Sequence, residues 1–212
     1  MFQGIFDNTK VKDLGERKFK SPIPLSYRDD DFVADFVRDD EKVVFNANRS
    51  FIRGYMDDFN NIPAFEVAGP REYLYFNPSE IACGIVTCGG LCPGINNVIR
   101  GLVNELHYWY KCSKIYGFKF GYKGMVKDNG IPPLELDVKM VEDIHLKGGT
   151  ILGSSRGQQD VKKTVDYLEE LNISILFTIG GDGTMKGIYD IVQEIETRDL
   201  NISVIGIPKT ID

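Results

Sequence analysis

From residue 81 onward, short apolar runs alternate with stretches in which apolar residues recur every three or four positions. Residues 81–87, 114–118, 173–179 and 202–207 read as strands, and the near-continuous apolar character of 173–179 is what a parallel strand buried on both faces requires. Residues 95–110, 160–171 and 185–195 have helical periodicity, 138–146 reads as a short helix, and Ile151-Leu152 reads as a short strand. This alternation predicts an α/β domain, a mostly parallel sheet with helices on both faces and right-handed crossovers. In such a sheet, ligands collect beyond the carboxyl ends of the strands. Glycine-rich segments at 88–94, 153–157 and 180–184, and the segment 208–212, are all expected on that edge.

Residues 1–80 are different. Prolines at 22, 24, 63, 70 and 78 and acidic runs at 29–31 and 39–41 interrupt any long period, and only 42–45 suggests a strand. The segment is expected to be an irregular N-terminal extension, an arm wrapping over a core or a neighbouring subunit, preceding a nucleotide-binding α/β domain at 81–212. A partly disordered tail is the alternative, weakened by the many aromatic residues there.

Composition adds limits rather than direction. With 212 residues, 42% of them hydrophobic, the chain can bury one sizeable core. A net charge of −6 disfavours a general nucleic-acid binder without opposing a nucleotide site, which is built locally from N–H groups and a few cations. No apolar run is long enough to cross a bilayer and residues 1–20 contain no secretory core, so a cytoplasmic protein without membrane partners is expected. Cys83, Cys88, Cys92 and Cys112 match neither a zinc nor a CxxC spacing and read as thiols of a reducing compartment. His107 and His145 lack partner motifs.

The chemistry concentrates in Gly180-Gly181-Asp182-Gly183-Thr184. Glycines let the backbone approach a phosphate, and the following helix start offers free N–H donors. A carboxylate among them is unsuited to binding an anion but suited to the magnesium that accompanies nucleotide phosphates. Asp182 as a plain helix cap is the duller reading. Arg156, in a loop of small residues, has the planar fork that fits phosphate oxygens, although a surface arginine explains it equally well. Asp212, in Pro208-Lys209-Thr210-Ile211-Asp212, can take a proton from a substrate hydroxyl while Thr210 holds the group being moved, or it can simply form a turn. Phosphoryl transfer asks for little more than positioning and charge neutralisation, and this inventory supplies both.

The runs VTCGGLCPGINNVIRGLV, FGYKGM, GGTILGSSRG, IGGDGT and IGIPKTID, in this order, resemble the phosphofructokinases over roughly residues 70–212. The stretch FEVAGPREYLYF before them is similar to the long ATP-dependent branch of plants, protists and some bacteria. The resemblance implies a 6-phosphofructokinase transferring the γ-phosphoryl group of ATP, with Mg2+, to fructose 6-phosphate in glycolysis. It implies that Gly90 contacts the donor phosphates, that Tyr122 lies beside the nucleotide, and that Arg156 and Gly157 bind its phosphates. It places Asp182 on Mg2+, Gly181, Gly183 and Thr184 around the donor, and Gly187 near the nucleoside. Thr210 and Ile211 would border the sugar phosphate, and Asp212 would accept the proton of its 1-hydroxyl.

Donor choice, in the same resemblance, turns on Gly183 and Lys209. Pyrophosphate users carry an Asp matching Gly183 that would crowd the α-phosphate of ATP, so Gly183 favours ATP. Lys209 is the residue of pyrophosphate users, but the long ATP-dependent branch combines it with Gly. The family continues beyond the position of Asp212 with a second domain holding most sugar contacts, so this chain is expected to be the donor half, inactive alone, of an enzyme that is oligomeric at full length. A pyrophosphate-dependent enzyme, a non-catalytic nucleotide module, and a NAD or lipid kinase sharing only GGDGT are the alternatives.

Overall fold

The computed structural model describes residues 11–28 and 33–209 and divides into two units, one ending at Tyr75 and the other beginning at Phe76. The first unit holds two small antiparallel pairs. Strand β1 (Phe19–Lys20) pairs with β4 (Tyr73–Leu74), and β2 (Lys42–Val44) pairs with β3 (Ala64–Glu66). Between β2 and β3 lie a short helix, α1 (Arg49–Arg53), and a 3-10 turn (Phe59–Asn61). Aromatic packing orders this unit. Phe51 stacks within 5.2 Å of Tyr55, and Phe45 lies 5.8 Å from Phe65 between ring centroids. Asp39 is shared by Arg17 and Arg71, the latter at 3.2 Å. The acidic run at 29–31 falls outside the described residues.

The second unit is a five-stranded sheet in the order β7-β6-β5-β8-β9. Strands β5 (Ala82–Thr87), β6 (Lys114–Phe118), β8 (Ile173–Gly180) and β9 (Ser203–Pro208) are parallel, and β7 (Leu134–Glu135) is an antiparallel edge. Every residue of β5 is buried, which is why its sequence shows no alternation. Helix α2 (Ile95–Asn104) covers one face through Ile95, Ile99 and Val103, packed with Ile85 and Ile179. Helices α3 (Val161–Glu170) and α4 (Asp182–Thr197) cover the other through Val165, Leu168 and Ile191, packed with Val86, Phe118 and Leu176. Gly84 makes close packing possible within the sheet, since a Cβ there would sit 2.8 Å from Phe118. Phe76 packs against the core of this unit and Asn77 caps the turn Pro78–Glu80, so the unit starts six residues before the first buried strand.

Several elements differ from the sequence expectation. Residues 138–146 form turns ending in a 3-10 segment at Ile144–Leu146 instead of a short helix. Val141 and Ile144 are the buried positions there, and a spacing of three suits tight turns better than an α-helix. Ile151-Leu152 is a turn and not a strand. Leu152 is fully buried and its carbonyl accepts from Phe120 N–H at 2.7 Å, so the apolar pair anchors a loop. The short edge β7 carried no periodic signal. Helix α2 ends at Asn104 and passes into a π-helical turn, Glu105–Trp109. Most consequential for the site, α4 begins at Asp182, three residues earlier than the periodicity suggested.

Candidate functional site

Strands β5, β8 and β9 finish in register, with Thr87 opposite Ile179 and Gly180 opposite Pro208. Their following segments therefore leave from one edge. Gly181 alone separates β8 from α4, so Asp182, Gly183 and Thr184 form the first helical turn rather than a loop. The turn folds back tightly. Thr184 N–H and Met185 N–H donate to the Gly181 carbonyl at 2.8 and 3.0 Å. A Cβ on Gly180 would lie 2.2 Å from Thr184 Oγ1, so only glycine lets the buried threonine sit over the strand end. The N–H groups of Asp182 and Gly183, ahead of the Thr184 and Met185 bonds, have no intrahelical acceptor and lie at the positive end of the helix dipole.

Cross-links hold the other segments to this edge. Ser154 Oγ donates to Gly89 O at 2.5 Å, and Gly89 N–H donates to Ser155 O at 3.3 Å. Thr87 Oγ1 donates to Gly153 O at 2.8 Å, and Ser155 Oγ donates to Phe120 O at 2.6 Å. Lys209 N–H continues the ladder onto Gly180 O at 2.9 Å. Buried Asn96 fixes the approach from behind, donating to Lys147 O at 3.0 Å and accepting from Ile151 N–H at 2.9 Å. These ties enclose a cleft of about 490 Å³.

Gly90, Tyr122, Arg156, Gly157, Gly181, Asp182, Gly183, Thr184, Gly187 and Lys209, which come from five separate segments, all line this one cleft. Thr210, Ile211 and Asp212 lie outside the described residues. Sequence reasoning did not single out Lys186, Asp190, Gln158, Gln159, Val161 and Thr164, which also line it. The helical repeat of 182, 186 and 190 was the available signal for two of them. Arg198 braces the two flanking helices far from the cleft, with Nη1 2.6 Å from Asp166 and 3.0 Å from Glu169 on α3, and Nε 2.8 Å from Glu194.

The electrostatics are uneven. Exposed Arg156 and Asp182 have no ion-pair partner among the described residues. Buried Cys88 is pushed up to about 12 by desolvation, opposed by a backbone hydrogen bond from Tyr122 and by the charge of Lys209. Burial likewise raises Tyr122, which stays a neutral donor. No group of three or more His, Cys, Asp or Glu residues that could hold a metal occurs among the described residues. A lone carboxylate at a helix start fits magnesium nonetheless, because that ion typically takes one or two carboxylates plus substrate phosphates and water.

A parallel α/β sheet whose strand ends supply glycine turns, a helix start, and an arginine and a carboxylate without ion-pair partners among the described residues has the architecture in which ligands typically collect beyond the carboxyl ends of the strands. The chain belongs to the phosphofructokinase family, whose family model, described as Phosphofructokinase, matches residues 82–212. It is 44% identical over 203 residues to the ATP-dependent 6-phosphofructokinase of Borreliella burgdorferi, covering 96% of this chain and 44% of that protein. It is 51% identical over 147 residues to the ATP-dependent 6-phosphofructokinase of Trypanosoma cruzi, covering 69% of this chain and 30% of that protein. The chain thus spans less than half the length of these relatives. The fold is similar to that in the crystal structure of the pyrophosphate-dependent phosphofructokinase of Marinobacter aquaeolei, with a TM-score of 0.54 at 20% identity over 61% of this chain and 33% of that one. It is similar as well to Pichia pastoris phosphofructokinase in the T-state, with a TM-score of 0.55 at 22% identity over 71% and 19% of the two chains.

Proposed function

We propose that this chain is the donor-binding half of an ATP-dependent 6-phosphofructokinase, phosphorylating fructose 6-phosphate to fructose 1,6-bisphosphate. The observation that carries the reading is the meeting of Gly90, Arg156, Asp182 and Lys209 around one cleft that begins at a helix start. In this reading the N–H groups of Asp182, Gly183, Gly90 and Gly181 donate to the phosphate oxygens, and Arg156 neutralises them with its planar fork. Asp182 holds Mg2+, which when bound neutralises the charge developing on the transferred phosphoryl group. Tyr122, with its hydroxyl already committed to Thr184, packs beside the nucleotide, and Gly157, Gly183, Thr184 and Gly187 shape the wall.

Gly183 supports ATP as donor. A Cβ there would meet nothing within 4 Å, so the space that an aspartate would fill is open to an α-phosphate. Thr210 and Ile211 are assigned to the sugar-phosphate side and Asp212 to the acceptance of its proton. At full length the protein is taken to be an oligomer, on the strength of the family resemblance, and cytoplasmic, on the composition of residues 1–20 and the lack of a long apolar run.

The test is turnover of the full-length protein with MgATP and with magnesium pyrophosphate, fructose 6-phosphate being the acceptor. Activity with MgATP is expected, and activity confined to pyrophosphate overturns the donor assignment in favour of the Lys209 signal. Asp212→Ser should lower kcat by roughly 10²–10⁴-fold with little effect on ATP binding, as loss of a general base does. Unchanged turnover removes Asp212 from that role.

A further inference from the structure

The α4 wall of the cleft is a stripe. Asp182, Gly183, Lys186, Gly187, Asp190 and Ile191 all line it, at repeats of four. On a helix this repeat is one face, and the eight steps from Asp182 to Asp190 advance it by about 12 Å. The opposite wall at that distance is α3, through Val161 and Thr164. The cleft is therefore an elongated trough. The glycine turns stand at its start, Tyr122 crosses near Gly187, and Asp190 and Ile191 lie beyond.

Asp190 is the unexplained group. It is half-buried and takes part in no side-chain hydrogen bond or ion pair among the described residues. Lys186 is one turn away, but a lysine preceding its acid is the weaker order for a helical pair, and the two are not bonded. A carboxylate kept partly out of water without a donor is an acceptor available to a ligand. A phosphate or pyrophosphate at the helix start has nothing to offer it. The sugar of a nucleotide does, because two neighbouring hydroxyls present two O–H donors to the two carboxylate oxygens.

We infer that Asp190 accepts hydrogen bonds from the 2′- and 3′-hydroxyls of the donor's ribose and so makes this cleft selective for ribonucleoside over deoxyribonucleoside triphosphates. The inference rests on the donor-site reading above. With the phosphates at Asp182 and the sugar at Asp190, the base lies against Ile191, Val161 and Thr164. Lys186 then stands alongside the phosphate chain. Asp190 binds the donor and does not move a proton, so its effect belongs in KM.

The experiment measures kcat and KM of the full-length protein for the magnesium complexes of ATP, 2′-deoxyATP, 3′-deoxyATP and inosine triphosphate. In the wild type at least one deoxy analogue should have a KM about tenfold above that of ATP, the size of a lost hydrogen bond to a charged group. Asp190→Ala should raise the KM for ATP about tenfold, leave kcat within about twofold, and bring the deoxy-to-ATP ratio close to one. Asp190→Asn, which preserves the volume and one acceptor, should fall between them and guards against a folding defect in the alanine variant. A deoxy-to-ATP ratio unchanged in both variants overturns the inference. So does a loss of discrimination between ATP and inosine triphosphate alone, which would put the base amine at Asp190. Turnover of the wild type with pyrophosphate and with none of the nucleotides refutes the donor reading itself, a result distinct from either of those.

Discussion

The Tyr122 hydroxyl donates a 2.8 Å hydrogen bond to the carbonyl oxygen of Thr184 and so ties the turn after β6 to the first turn of α4. Gly187 makes the contact possible, because a Cβ at that position would lie 2.7 Å from Tyr122 Cε2. Gly187→Ala should displace the ring, lower stability by about 1–2 kcal/mol and raise the KM for ATP several-fold. Tyr122→Phe removes only the bond, at about 1 kcal/mol. Urea unfolding of the two variants checks the pair. A Gly187→Ala stability within about 0.3 kcal/mol of wild type would show that the ring does not constrain this turn.

Gly180→Ala should be worse, because the clash is with a buried side chain of the same turn. The new Cβ would sit 2.2 Å from Thr184 Oγ1 and 2.4 Å from both Thr184 Cβ and Cγ2. A loss of about 3 kcal/mol is expected, with partial recovery in the Gly180→Ala, Thr184→Gly double variant. Equal stability of the single and double variants in thermal unfolding would contradict the tight-turn account.

Gly183→Asp should separate stability from binding. The position is open and lies in the first turn of α4, where an acidic side chain is favoured by the helix dipole, so unfolding should be unchanged or slightly later. ATP affinity should fall by at least about tenfold from charge repulsion with the α-phosphate. Calorimetric titration with MgATP decides the point, and undiminished affinity removes Gly183 as the donor determinant.

Asp182→Ala should act in opposite directions with and without metal. MgATP binding should weaken about tenfold or more because the ion loses its protein ligand, whereas ATP in chelator should bind at least as tightly as to wild type because a repulsive charge has gone. Parallel weakening in both conditions would reassign Asp182 to a capping role.

Cys88 makes stability depend on alkaline pH. Its folded-state value, about 12, lies above the ordinary value of 9.0, so the native state holds the proton more tightly. The contribution is complete below pH 9 and is lost as pH rises from there toward 12, with a slope of about 1.4 kcal/mol per pH unit. Between pH 8 and pH 10, wild type should therefore lose about 1.4 kcal/mol more than Cys88→Ala, measured as the difference of two urea midpoint series. Superimposable series would mean that the thiol is already solvated in the fold.

Much of the fold was written into local patterns. The buried run of β8 and the periodic apolar residues of α2, α3 and α4 are legible because burial on two faces and burial on one stripe leave different spacings. The segment around 138–152 was misread. Val141, Ile144 and Leu152 are apolar because they plug the core from turns, and a few plugged positions imitate a short helix or strand. The glycine segments were visible as candidates, yet Asp190 was not, since a lone acid on a helix looks like any solvated surface residue until a second helix faces it.

What the amino-acid order determined alone was the type of each long element and the chemistry of each strand-end turn, because both are encoded within a few consecutive residues. That these turns share one cleft was decided by the tertiary structure. It needed the parallel order β6-β5-β8-β9, the register of Gly180 with Pro208, and contacts such as Ser154 with Gly89 across 65 positions of chain. Contacts of that range follow from how helices cover a sheet, which local spacing does not record.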